Sequence, residues 1–262
     1  MSNYRVFILG YHEIVQSPSR KKYAVSEELF LKQLLWLKNN HFRVISLSDL
    51  YASLVPNTEL PQNGVVLTFD DGLMCHFNLA YPILKEFNFP ASFFVIAGFV
   101  GKNGFMDWGH LEKLQAAGMQ IGSHGYSHNL LNLMPDEEIK KEFLLSKTIL
   151  EKNLNRPIDF LSIPRGQDNL KVRQIAQSSG YKAICVSSPG YIYKDSSVFS
   201  LSRFFLHSNN TLADFANILS ADPLMHFKIK IQAMSLWLLR NILGMRLYEK
   251  IRMRVLKDEY SY

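Results

Sequence analysis

An α/β fold on a mainly parallel sheet is what this sequence predicts, from three observations. Short apolar runs of strand length alternate with amphipathic segments of helix length, the pattern of repeated strand–helix units. The chain has 262 residues, 47% of them hydrophobic and 20% charged, which is the size of a single α/β barrel. No internal repeat or low-complexity stretch divides it.

The first candidate strand is RVFILGYH, residues 5–12, apolar without alternation as a strand buried on both faces should be. Ser26 caps a helix running to about Asn40, with Leu29, Phe30, Gln33, Leu34 and Leu37 near helical spacing. FRVIS (42–46), VVLTF (65–69), ASFFVIA (91–97), MQIGSH (119–124), DFLSIP (159–164), KAICVS (182–187) and SLSRFFLH (200–207) are further strand candidates. Between them WGHLEKLQAAG, PDEEIKKEFLLSKTILEKN and DNLKVRQIAQSSG are amphipathic, and two of these end in Gly, a common helix stop. A boundary is expected near Asp222-Pro223, giving a domain over 1–222 and a tail over 223–262.

The net charge of +6 is unevenly spread. From Pro223 to Lys257 eight Lys/Arg stand against the single acid Glu249, so this stretch carries +7 and the rest of the chain about −1. Arg246, Lys250, Arg254 and Lys257 form one helical stripe, and Leu247, Tyr248, Ile251 and Val255 another. Such a helix could lie on an anionic inner leaflet or pack on the barrel with its basic face solvated. Nucleic acid is not an expected partner, because nothing outside the tail is basic. Two cysteines, Cys75 and Cys185, make no disulfide framework. MSNYRVFILGYHEIV lacks a long h-region and a small-residue cleavage site, and no stretch reaches the length of a membrane span. The expectation is a cytoplasmic location, peripheral to the inner face of the membrane if the tail binds lipid.

Chemistry gathers at the ends of the candidate strands, where a parallel barrel carries its functional side chains. Asp70 and Asp71 follow VVLTF; His124 follows MQIGS, and His128 comes four residues later in SHGYSH. That spacing shares a face in a helix or tight turn. Two His and one Asp suit a catalytic zinc-like ion, which polarises a carbonyl and activates water. The second Asp is then free to accept a proton. Alone, DDG is ordinarily a solvated turn and HxxxH a helix surface; it is their joint placement after separate strands that carries weight.

TFDDG at 68–72 and SHGYSH at 123–128 resemble the first two motifs of the polysaccharide deacetylases, the NodB-homology or family 4 carbohydrate esterases. The resemblance runs over about residues 4–220, through FLKQLLWLKNNHFRVISLSDL, MDWGHLEKLQAAGMQIGSHGYSH and FLSIPRGQDN. It implies a distorted (β/α) barrel, seven-stranded in many members, here followed by a C-terminal helical extension. It also implies a divalent metal, zinc being the first expectation, held by Asp71, His124 and His128, with Asp70 as base. LGYH at 9–12 resembles the permuted arrangement of the poly-N-acetylglucosamine deacetylases and makes His12 the expected general acid; a hydrogen-bonded core histidine beside Tyr11 is the alternative.

The third motif departs from the family. Where many members have Arg-Pro-Pro-Tyr-Gly, this chain has Ser162-Ile163-Pro164-Arg165-Gly166. Pro164 and Gly166 would still shape the loop, and the Arg165 backbone N–H is the expected oxyanion donor. The Arg165 side chain either faces an anionic part of the substrate or points to solvent. Arg203 is a candidate partner for Asp70, or a structural ion pair. His41, His76 and His110 read as surface residues. His207 could reach the barrel mouth, but its SNNT flank reads as loop. Trp108 starts a helix against the barrel, and Tyr126 is either packing or a sugar platform.

The expected function is metal-dependent removal of N-acetyl groups from sugars of a surface polysaccharide or its lipid-linked precursor. Alternatives are a deformylase on a lipid-linked formamido sugar and a non-catalytic glycan-binding barrel. Expected partners are an N-acetylated oligo- or polysaccharide or lipid-linked glycan, with membrane contact through the tail as the further option.

Overall fold

The computed structural model describes residues 5–55, 58–166 and 168–220, with scattered positions between 227 and 251. In chain order it builds β1 (Val6–Tyr11), β2 (Glu13–Val15), β3 (Ala24–Ser26), α1 (Glu27–Asn39), β4 (Arg43–Val44), α2 (Leu47–Leu54) and β5 (Gly64–Phe69). A π-helical turn, His76–Ala80, leads into α3 (Tyr81–Phe87), then β6 (Ser92–Val95), α4 (Trp108–Ala116), β7 (Gln120–Ser123) and α5 (Asp136–Leu154). The remaining elements are β8 (Phe160–Ser162), α6 (Leu170–Ser178), β9 (Ala183–Cys185), β10 (Phe204–Phe205) and α7 (Leu212–Ser220).

Seven parallel strands form a curled, distorted (β/α) barrel in the order β10-β1-β5-β6-β7-β8-β9, with β4 added beside β5. The two ends of this path meet through one short segment. Leu201 bridges to Cys185, while Phe204 and Phe205 pair with Leu9 and Gly10. SLSRFFLH, read as one strand, is thus split between two neighbours, and FRVIS shrinks to the two residues of β4. The parallel pair β2–β3 is a separate small sheet.

Alternation along the strands divides the interior. Phe7, Leu9 and Tyr11 of β1 and Val65, Leu67 and Phe69 of β5 join the larger apolar cluster, with the buried faces of α1, α4, α5 and α6. Val6, Ile8, Val66, Phe94, Phe160 and Leu201 form a second cluster with Leu47, Leu50 and Leu54 of α2. That second set lines the barrel, and it turns polar toward the strand ends. Val66 is followed on the same face by Thr68 and Asp70, and Leu201 by Arg203, all buried.

Local signals explain the helix starts. Ser26 accepts a hydrogen bond from the Leu29 N–H, with Glu27 and Glu28 in the first turn of α1. Ser46 and Asp49 form a capping box on α2. Gly118 and Gly180 follow α4 and α6 at positive φ.

The expected domain boundary and tail lie outside the described residues, apart from the scattered positions. Of these, Phe227, Ile231, Met234, Leu238, Leu239 and Ile242 are exposed. No helix among the described residues is long and apolar enough to cross a membrane.

Close packing makes one glycine of β7 exacting. A Cβ at Gly122 would stand 2.6 Å from the ring of the fully buried Phe94 and 3.1 Å from the Phe160 carbonyl oxygen. Gly122→Ala should therefore destabilise the fold by about 1–3 kcal/mol, read as a lower urea midpoint with unchanged m-value.

Candidate metal centre and active site

The adjacent carboxylates at the end of β5 point to different partners. The Asp70 N–H donates to the Tyr11 carbonyl (2.9 Å), extending the β1–β5 ladder. Its carboxylate then accepts from both ends of the Arg203 guanidinium, Nη1 to Oδ1 at 2.7 Å and Nη2 to Oδ2 at 2.8 Å. The Ser162 hydroxyl donates to the same Oδ2 (3.1 Å) and accepts from Nη2 (2.7 Å). At Asp71 the chain enters the left-handed region (φ +78), as does Gly72 (φ +77), and this turn sends the second carboxylate elsewhere.

Asp71 meets the two histidines. Its Oδ1 lies 3.4 Å from His124 Nε2 and 3.5 Å from His128 Nε2. The three candidate ligand atoms lie within 4.8 Å of one another, and all three residues are buried. The segment between the histidines is not the helical turn that its spacing allowed: Gly125 (φ +73) and His128 (φ +59) fold it into a loop. His124 Nδ1 donates to the Ser162 carbonyl (2.8 Å). A carbonyl can only accept, so Nδ1 carries the proton and Nε2 is turned to the shared point, the usual orientation of a ligating imidazole. Two nitrogens and one carboxylate oxygen are a donor set that fits a divalent cation of the zinc type.

Supports for this loop include one that the sequence did not disclose. Glu142 of α5 accepts from the N–H groups of Tyr126 (3.1 Å) and Ser127 (2.9 Å) and from the Ser127 hydroxyl (2.7 Å). Ala97 and Gly98 N–H groups take the carbonyls of Gly125 and Tyr126. The loop also carries Tyr126 as a half-buried ring against the core. Arg165 sits at φ +56 in the 164–166 turn, between buried Pro164 and Gly166, and its Nε donates to the His128 carbonyl (3.0 Å). Its side chain thus reaches the loop that carries both histidines. Nothing in the sequence singles out Glu142, an acid on a solvated helical face until the fold brings the loop to it.

His12 follows the last residue of β1 and lies between the rings of Tyr23 and Phe205, each with its centroid 4.9 Å away. Asp71, Asp70 and His124 all bear on its protonation, so it shares their site. Two histidines differ from their expected placement. His76, read as surface, is completely buried, because the π-helical turn carries it under the barrel mouth, where its Nε2 bonds the His12 carbonyl oxygen. His207 is half-buried and packs at a tilt against Tyr23 (centroids 4.9 Å apart), which itself lies against His12. His41 is exposed, and His110 completes the α4 capping box with Asp107.

Burial and charge oppose each other here. Burial would raise the Asp70 carboxyl, but Arg203, with His124 and His12, holds it below the usual value. Asp71 is likewise held well below, against burial, by His124 and His128. Burial lowers His128 to about 3, with Asp71 opposing and His124 and Arg165 adding to the effect. Burial also lowers His12, against the pull of both carboxylates. For His124 the two aspartates and the Ser162 carbonyl outweigh burial and raise it.

The curled parallel barrel thus carries, at its strand ends, an Asp-His-His cluster beside a second, arginine-held aspartate. Residues 57–184 match the family model of the polysaccharide deacetylases, and the chain is similar to proteins of that family. The Bacillus subtilis protein YxkH, named for the same family, is 25% identical over 196 residues, 75% of this chain and 69% of its own length. A poly-beta-1,6-N-acetyl-D-glucosamine N-deacetylase of Staphylococcus aureus is 26% identical over 178 residues, 62% of this chain. This chain covers 60% of that enzyme's length. Among solved structures, the Streptococcus pyogenes deacetylase PplD, in complex with acetate, superposes with a TM-score of 0.77 at 27% identity, covering 83% of this chain and 99% of that one.

Arg203→Met would leave the Asp70 carboxylate buried without its cation and should cost about 3–5 kcal/mol at neutral pH. The folded pKa of Asp70 lies below its unfolded value of about 3.9. In the wild type the pair's contribution is therefore full above that value and lost as pH falls through the folded pKa. In the variant the orphaned carboxyl can take up a proton, so the stability gap should narrow on acidification. Urea titrations of both proteins at neutral and acidic pH check this; a gap independent of pH would contradict it.

Proposed function

We propose that this protein is a metal-dependent hydrolase that removes N-acetyl groups from sugars of a surface polysaccharide or its lipid-linked precursor. The reading rests most on one observation: ligand atoms of Asp71, His124 and His128 converge within 4.8 Å, directly beside an aspartate fixed by Arg203. The match to the polysaccharide deacetylase family model supports the reaction class, and the Staphylococcus aureus relative is named for an N-acetylated glucosamine polymer.

Zinc, or another divalent cation bound by Asp71, His124 and His128, would supply Lewis acidity toward the acyl carbonyl and toward water. Asp70, kept ionised by Arg203 and aimed by Ser162, accepts a proton from water as its oxygen adds to the acyl carbon. The backbone N–H of Arg165, in the turn Pro164–Gly166, is the donor assigned to the developing oxyanion. His12 gives its proton to the sugar nitrogen as the carbon–nitrogen bond breaks, leaving acetate and an amino sugar. Arg203 touches no reacting atom in this scheme and acts through Asp70.

Acetate release from N-acetylglucosamine oligomers should vanish with chelator and return with added zinc. Asp70→Asn and His12→Gln should each lower kcat by about 10²–10⁴-fold. Release that survives chelation would reject the metal-dependent scheme, and release of formate but not acetate from matched substrates would move the acyl specificity to formyl.

The membrane and lipid-linked parts of the proposal concern the segment over 223–262. Exposed Phe227, Ile231, Met234 and Leu238 recur at helical spacing, within a segment whose residues 223–257 carry +7, a combination suited to an anionic lipid surface. The full chain should sediment with vesicles containing phosphatidylserine, less so at high salt, and not with vesicles of phosphatidylcholine alone. Equal behaviour with both would remove the membrane contact from the proposal.

A further inference from the structure

The main chain leaves the sheet at His12, and there a side chain takes over from the backbone ladder. The Tyr11 carbonyl is taken by the Asp70 N–H. The next carbonyl, that of His12 itself, is taken by His76 Nε2. A carbonyl only accepts, so Nε2 carries the proton and Nδ1 is the bare nitrogen. That Nδ1 is buried and has no hydrogen-bond partner among the described residues. The ring is fully buried, 5.3 Å from the Phe69 centroid and 6.1 Å from that of Phe93. Burial lowers its pKa to about 4, so it stays neutral under ordinary conditions.

An imidazole is a poor choice for filling such a space. Leaving a ring nitrogen buried and unpaired costs about 1–3 kcal/mol, whereas leucine or methionine would fill an apolar pocket at no such cost. What imidazole adds is a donor aimed at the His12 carbonyl. We propose that His76 is a positioning residue for His12, clamping its carbonyl so that the ring, flanked by Tyr23 and Phe205, is presented to the departing nitrogen in one orientation. This rests on the reading of His12 as proton donor in deacetylation. Displacements of about 1 Å in a reacting group cost on the order of 10²-fold in rate, so a donor that fixes the main chain beneath it is worth keeping in an otherwise apolar site.

His76→Leu removes the donor, and His76→Gln restores an amide N–H at similar reach. In H76L, kcat for acetate release should fall by about 10–100-fold, with KM and zinc affinity, measured by chelator competition, within about threefold of wild type. H76Q should recover most of the loss. In a His12→Gln background, His76→Leu should cost no further activity, because its partner's function is already gone. The idea is overturned if H76Q is no better than H76L, or if His76→Leu is as costly with His12 absent as with it present. Should H76L fail to fold, His76→Met serves as the donor-free variant. A readout independent of catalysis separates this proposal from the deacetylase reading. In protein labelled with nitrogen-15 histidine, the His12 ring signals should be sharp in wild type and H76Q and exchange-broadened in the donor-free variant. Absence of acetate release by wild type would reject the functional reading alone, whereas unchanged sharp His12 signals in the donor-free variant would reject the role of His76.

Discussion

The buried pair of Asp70 and Arg203 is the constraint on which the upper half of the barrel depends. Arg203 comes from the short segment that joins the two ends of the strand path, and it reaches across the interior. Its Nη1 donates to Asp70 and, at 3.2 Å, to the Thr68 hydroxyl, while Nη2 takes Asp70 and Ser162 and Nε faces the Val186 carbonyl. Thr68 in turn donates to the Leu9 carbonyl. One guanidinium therefore references β1, β5, β8 and the chain after β9 to a common point, with its plane over Phe205 (4.6 Å) and Phe94 (5.6 Å). A buried ion pair is weak evidence for net stability; what this one supplies is registry. It also gives Ser162, at the start of the 162–166 segment, its place: the hydroxyl fits between Asp70 and the guanidinium arriving from position 203.

The two neighbouring aspartates show how a tight turn separates tasks. Both are buried, yet they meet different partners: the Arg203 guanidinium for Asp70 and the two imidazoles of His124 and His128 for Asp71. The positive φ at Asp71 and Gly72 makes this division possible, because an extended backbone would have sent consecutive side chains to opposite faces of the sheet, one of them into the apolar layer occupied by Phe69.

Much of the barrel was legible because buried parallel strands are unbroken apolar runs, and VVLTF, ASFFVIA and MQIGSH could be nothing else. The strand ends told where chemistry would gather. What escaped notice was either too short or depended on tertiary placement. β2 and β3, three residues each, carry no periodicity, and β10 looks like part of one longer strand until its two neighbours are known. α3 has the composition of a helix but lacks a side-chain cap like that of α1, whereas α7 starts on a capping box of Thr211 and Asp214, spelled in the sequence as TLAD. Glu142 and His76 could not be found at all by inspection. The first is an acid on a polar helix face, and the second becomes buried only because a π-helical turn rotates it inward. The apolar neighbours of Arg203 hinted at a strand, but only the closed sheet shows how far its side chain reaches.

Asp71 and His128 both adopt left-handed backbone conformations, which glycine, asparagine and aspartate tolerate, histidine enters more often than most residues, and β-branched residues resist. The main chain thus narrows the permissible alphabet at these two positions before any ligand chemistry is considered. A drifting sequence could exchange Asp71 for asparagine without disturbing the turn, and so remove the carboxylate that faces both histidines while keeping the shape. Such a change would leave the outline of the barrel as it is.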